Sequence, residues 1–229
     1  MRKERLELAG IPAILWGEPS DRLYLFVHGK MSSKDAAETL AVTAGGKGYQ
    51  TLSWDLPQHG ERDACVPWDV FTAMKELETV ADYAFSRWKQ VSLYACSIGA
   101  YMSLHACADR PFEKALFQSP IVDMVWLIHR MMEWFHVPPE ELEAKGAVET
   151  PIDLLRWDYY QYIRSHPAEK WPVPTSILYG GRDEMQSIEV IQGFAERFGA
   201  AVTVSPDSEH AFMSLKDWKF IKHWLDETV

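Results

Sequence analysis

The sequence is poor in cysteine, in basic charge and in long apolar runs, and each shortage excludes something. Three cysteines among 229 residues, Cys65, Cys96 and Cys107, are an odd count without CxxC spacing. Neither a disulfide framework nor a zinc or redox pair of that type is expected. Lys and Arg number 23 against 33 Asp and Glu, for a formal net charge of −10. Nucleic-acid binding needs a basic face that releases counterions, and no run of Lys or Arg supplies one. Anionic membrane surfaces are disfavoured on the same ground. No stretch approaches the roughly 18 apolar residues of a membrane span, and the run Val125-Trp126-Leu127-Ile128 is far too short. The start, Met1-Arg2-Lys3-Glu4-Arg5, is charged and is not followed by an apolar stretch of signal-peptide type. The expected location is a reducing cytoplasm, and the expected state is a monomer or small homo-oligomer.

What remains is an ordinary globular composition, 47% hydrophobic and 24% charged, in a chain long enough for one sizeable core. Runs rich in β-branched and aromatic residues predict strands at Leu23–Val27, Gln50–Trp54, Val91–Ala95, Ala115–Gln118, Ser176–Tyr179 and Ala201–Val204. Near-continuous runs such as Leu23-Tyr24-Leu25-Phe26-Val27 suit a parallel sheet buried on both faces. Between them lie helix-length segments at Ser33–Ala44, Val70–Trp88, Ile98–Ala108, Ser187–Phe198 and Ala211–Asp226. The alternation predicts an α/β fold, with a mostly parallel central sheet flanked by helices. Leu6–Leu8 and Ala13–Trp16, joined by Ala9-Gly10-Ile11-Pro12, predict an antiparallel hairpin at the sheet edge.

From Ile121 to Trp171 the alternation stops. No convincing strand is visible there, but two helical stripes are: Ile128, Met131, Met132, Phe135, and then Ile152, Leu155, Tyr159, Tyr162. Thr150-Pro151 reads as the N-cap and first residue of the second helix. Residues 121–171 are therefore expected to be a helical cap inserted between late strands of one domain spanning 1–229.

The chemistry concentrates at Val91-Ser92-Leu93-Tyr94-Ala95-Cys96-Ser97-Ile98-Gly99-Ala100, where a buried strand meets a helix at Ser97. A sharp strand-to-helix turn demands small residues two before and two after the raised side chain, and Ala95 and Gly99 satisfy it. Cys96 would have Tyr94 and Ile98 in those places, so sterics favour Ser97 as the nucleophile. Read alone, the x-Ser-x-Gly match is weak, and Ser97 reads more simply as a helix N-cap. Asp183 follows the strand ending at Tyr179, and His210 lies in the loop before the last helix. Glu184 and Asp207 are the alternatives to Asp183 as the acid. Val27-His28-Gly29-Lys30 adds a glycine turn at another strand end. In open α/β sheets, the carboxyl ends of the strands are where ligands bind.

The chain order Ser97, Asp183, His210 resembles the α/β-hydrolase fold superfamily, whose triad runs in that order. Asp55-Leu56-Pro57-Gln58-His59-Gly60 is similar to the family's D-x-P-G-H-G turn, with Gln58 in place of a glycine. Ala95 likewise replaces the first glycine of G-x-S-x-G. The resemblance covers nearly the whole chain and implies a serine hydrolase. In it Ser97 is the nucleophile, His210 the general base and acid, and Asp183 the orienting carboxylate. It also implies an oxyanion hole at the backbone N–H groups of Lys30 and Ile98.

The substrate implied is a small or medium carboxylic ester. A thioester, or an amide in the manner of an aminopeptidase, would suit the same triad. A ligand-binding member of the fold without turnover is the alternative from another class. Trp126, Met131, Phe135 and Tyr159 are the candidate substrate contacts from the cap. No H-E-x-x-H, P-loop or dinucleotide spacing is present, so no metal and no cofactor is expected. The other histidines, His59 included, read as ordinary.

Overall fold

The structure is a computed structural model that describes residues 1–62 and 66–229. Cys65, one of the three thiols counted above, lies outside the described residues. The chain opens with β1 (Lys3–Leu8), β2 (Ile11–Trp16) and β3 (Arg22–Val27). A short 3-10 turn (Lys34–Ala37) leads into α1 (Glu38–Gly46) and β4 (Gln50–Trp54). Next come α2 (Val70–Arg87), β5 (Gln90–Cys96), α3 (Ile98–Ala106) and β6 (Ala115–Gln118). After an inserted segment the chain ends with β9 (Thr175–Gly180), α7 (Ile188–Phe198), β10 (Ala201–Ser205) and α8 (Leu215–Thr228). The insertion holds α4 (Met124–Phe135), α5 (Pro139–Lys145), β7 (Ala147–Glu149), β8 (Leu154–Arg156) and α6 (Trp157–Ser165).

The main sheet has the order β1-β2-β4-β3-β5-β6-β9-β10. Only the edge hairpin is antiparallel, through β1–β2 and β2–β4; the remaining pairs are parallel. Both faces are buried, as the apolar runs predict. In β3, Leu23, Leu25 and Val27 enter a core shared with α2, α3 and α7. Tyr24 and Phe26 enter a second core with α1 and α8. Each buried side chain of this kind contributes about 1.5–3 kcal/mol, and the period of two explains why one strand feeds both cores. A third cluster, built on α4, Leu142, Leu155 and α6, holds the insertion together.

Four expectations are corrected. The edge hairpin turns on Ala9-Gly10 alone, both with positive φ (51° and 84°), so Ile11 and Pro12 belong to β2. Ser33 caps the 3-10 turn, and the α-helix proper begins at Glu38. The last helix begins at Leu215 rather than Ala211, because Ser214 and Asp217 form a capping box there. In the insertion, Thr150-Pro151 is not a helix start. Thr150 Oγ1 accepts from the N–H groups of Ile152 and Asp153 at 3.3 and 3.0 Å, closing the turn of the β7–β8 hairpin. Leu155 is therefore a strand residue, and the helix carrying Tyr159 and Tyr162 begins at Trp157.

Candidate active site

Because β3, β5, β9 and β10 run parallel, the residues that follow them reach one edge of the sheet. Ser97 follows β5 with φ 50° and ψ −121°, a conformation that costs a non-glycine residue about 1–3 kcal/mol. Backbone bonds hold it there. Its N–H donates to Gln118 O at 3.1 Å, and its carbonyl accepts from Ala100 and Ile121 at 3.0 and 3.1 Å. The small neighbours are required by contact. A Cβ at Gly99 would stand 2.7 Å from Val27 O, and one at Gly29 would stand 3.1 Å from Ser97 Cβ.

His210 Nε2 lies 2.8 Å from Ser97 Oγ, and His210 Nδ1 lies 2.7 Å from Asp183 Oδ2. The Asp183 carboxylate is buried, and its other oxygen accepts from Met185 N–H at 2.8 Å. Backbone approach fixes this pairing. A Cβ at Gly180 or Gly181 would come within 2.6 Å of Ser208 O or Pro206 O, so glycine alone lets the two loops pack. Ser119 Oγ donates to His210 O at 2.7 Å, and the Ser208 hydroxyl ties the histidine loop to Asp217 of the α8 capping box. The alternative acids stand elsewhere. Asp207 is exposed and pairs with Lys216 and Arg182, and Glu184 is exposed.

Lys30 and Ile98 flank the same point. Among the described residues neither N–H donates to a protein acceptor, as first-turn geometry dictates for Ile98. The next N–H, that of Met31, is committed: it donates to His59 Nε2 at 2.9 Å, while His59 Nδ1 faces Pro57 O at 2.7 Å. His59 thus braces the turn carrying Lys30, a role its sequence position does not reveal. His28 lies beneath, fully buried, with Nδ1 against Gly29 O at 2.7 Å and Nε2 accepting from Leu56 N–H at 3.0 Å. Burial pushes its pKa down to about 4, so the ring is neutral.

In the turn after β4, Gly60 is obligatory, since a Cβ there would lie 2.2 Å from the Asp55 carboxylate. Asp55 is buried against Lys34. Gln58 takes a positive φ of 60°. Its side chain also accepts from Trp68 N–H at 2.8 Å.

A cavity of about 1790 Å³ opens over Ser97 and His210. Of the four cap residues expected to touch substrate, Met131 and Tyr159 line it; Trp126 and Phe135 do not. On α4, Met124, Leu127, Ile128 and Met131 form the facing stripe, which turns Trp126 away. Phe135, the last residue of α4, packs into the insertion's own cluster. Cys96 also lines the cavity, but burial pushes its thiol up to about 12, far from a reactive thiolate. Among the described residues no group of three or more His, Cys, Asp or Glu is arranged to hold a metal ion. None of their helices is long and apolar enough to cross a membrane.

No family model matches the sequence, and no curated protein matches it. Solved structures do. Est1E from Butyrivibrio proteoclasticus, with ferulic acid bound, is 19% identical with a TM-score of 0.79, covering 98% of this chain and 96% of its own. Mouse α/β hydrolase domain-containing protein 10 is 16% identical with a TM-score of 0.75, covering 99% and 98%. A Pyrococcus furiosus esterase is 17% identical with a TM-score of 0.71, covering 99% and 89%. At these identities the likeness is one of architecture, and the chain has the α/β-hydrolase fold.

Proposed function

We propose that the protein is a serine hydrolase that cleaves carboxylic esters through an acyl-enzyme on Ser97. The observation that carries this reading is the continuous chain from Ser97 Oγ through His210 to the buried Asp183, at 2.8 and 2.7 Å, on a strained strand-to-helix turn. His210 Nε2 takes the hydroxyl proton as Ser97 attacks the carbonyl carbon, and returns it to the departing oxygen. Asp183 fixes the ring with its proton on Nδ1. The N–H groups of Lys30 and Ile98 receive the developing oxyanion; losing one such donor costs about 3–4 kcal/mol in comparable sites.

Residues 121–171 act as a cap within a single hydrolase domain, since they form one wall of the cavity over Ser97. The apolar stripe of α4 suits an acyl group. The thiols of Cys96 and Cys107, unpaired among the described residues, suit a reducing cytoplasm.

A fluorophosphonate probe should label Ser97, and p-nitrophenyl butanoate should be hydrolysed. Ser97→Ala should lose both signals. A wild-type protein that neither labels nor turns over short esters overturns the reading. Methyl ferulate belongs in the substrate panel, because Est1E binds the corresponding acid.

A further inference from the structure

The cavity exceeds what a small ester needs. Ligand pockets usually span about 300–1,000 Å³, and this one reaches about 1790 Å³. Its lining includes two sets of residues besides Ser97 and His210. One set lies under the insertion, where Met124, Ile128 and Met131 belong to the insertion's own cluster. The other passes Ala211 and lies between residues 31–40 and α8, where Leu40 and Leu225 belong to the core on the α1–α8 face of the sheet and Ile221 packs against it.

This second arm is apolar and uncovered. Along α8, Leu215, Trp218, Ile221 and Leu225 follow helical spacing. The stripe is buried at Leu225 but exposed at its start, with Leu215 at 83% and Trp218 at 58%. Met213 and Met31 stand beside it at 80% and 91%. All four of these exposed side chains line the cavity. The charges at its outer end are of both signs (Asp35, Glu38, Lys219, Lys222), so they select neither an anionic nor a cationic group.

We infer that the second arm is the leaving-group site and that the substrates are esters of extended apolar alcohols. This rests on the ester-hydrolase reading of Ser97. The Ser97 Oγ–carbonyl bond forms as the hydroxyl proton passes to His210 Nε2. The carbon–alkoxy bond then breaks as that proton passes to the alkoxy oxygen, which leaves as the neutral alcohol. Water hydrolyses the remaining acyl-enzyme. The oxyanion points at the Lys30 and Ile98 N–H groups, and the leaving oxygen must lie within reach of His210. The chain attached to that oxygen therefore continues into the arm that opens past His210 and Ala211. The acyl group faces the arm under the insertion.

The test uses two ester series at concentrations where the substrates are monomeric. One holds the acid as butanoate and lengthens the alcohol from methyl to octyl; the other holds the alcohol as methyl and lengthens the acid. In the wild type, kcat/KM should rise along the alcohol series by about two- to fourfold per methylene buried. In the doubly substituted Leu215→Ser, Trp218→Ser protein, the alcohol series should flatten while the acid series keeps its slope. Both substituted side chains are exposed, so the fold is not at stake.

A flat alcohol series in the wild type overturns the inference, as does flattening confined to the acid series. Fluorophosphonate labelling separates the two levels. A protein that labels at Ser97 and hydrolyses methyl butanoate, yet ignores alcohol length, sinks only the leaving-group site. A protein that does not label sinks the hydrolase reading with it.

Discussion

Lys30 Nζ lies 2.5 Å from Asp153 Oδ1, joining the turn that carries the proposed oxyanion-hole N–H to the tip of the β7–β8 hairpin. The same ammonium reaches Ile152 O at 3.4 Å. Both side chains of the pair are about 30% exposed (29% and 30%), so its share of stability is about 0–1 kcal/mol. Its consequence is positional. The pair fixes the hairpin against the residue whose backbone N–H is proposed to meet the carbonyl oxygen.

Asp153→Asn and Lys30→Met should therefore each lower kcat/KM for ester hydrolysis by about fivefold, roughly 1 kcal/mol. The double variant should be no worse than either single, because each removes the same contact. Urea unfolding should move by less than about 1 kcal/mol in all three. Additive kinetic losses, or a large loss of stability, would show that the two side chains act separately.

Much of this architecture was legible because it is local. The β3 run alternates between two cores, and a buried run of that kind has few other uses. That Ser97, Asp183 and His210 would come together was legible because Ser97 directly follows β5, Asp183 and His210 lie in the loops after β9 and β10, and parallel strands share an edge. The β7–β8 hairpin was not. Strands of three residues carry no usable period, and Ile152, Leu155, Tyr159 and Tyr162 match helical spacing by coincidence. The bracing role of His59 was hidden for another reason. Its partner is a backbone N–H of Met31, brought near only when the turns after β3 and β4 meet. Trp126 and Phe135 read as pocket residues because composition cannot say which face of α4 turns inward.

The neutral state of His28 gives stability a pH dependence. Burial holds its pKa at about 4, against about 6.5 in an unfolded chain. Between those values the unfolded state binds a proton that the native state refuses, so stability rises with pH across that window. Above pH 6.5 this group adds no slope; by about pH 4.5 it should have removed about 2–3 kcal/mol. His28→Gln, whose amide oxygen can still accept from Leu56 N–H, lacks the titrating group. Urea unfolding near pH 7 and pH 4.5 should show the wild type losing more stability than the variant by that amount. Parallel losses in the two proteins would mean that His28 does not titrate in this window.

Ser97 should be replaceable by glycine with a gain in stability and a total loss of turnover. At φ 50° and ψ −121° its Cβ is held in a region that costs about 1–3 kcal/mol. Glycine relieves this, at an entropic cost of about 0.5–1 kcal/mol from the freer unfolded chain. The backbone bonds to Gln118, Ala100 and Ile121 do not involve the side chain and survive the change. Ser97→Ala keeps the Cβ and so keeps the strain, which makes it the proper reference. In urea unfolding, Ser97→Gly should exceed Ser97→Ala by about 1 kcal/mol, and neither should hydrolyse esters or accept a fluorophosphonate. Equal stabilities would mean that the turn relaxes around an L residue. The energy ascribed to raising the serine hydroxyl above the sheet would then have to be sought elsewhere, first in the close approach of Gly29 and Gly99.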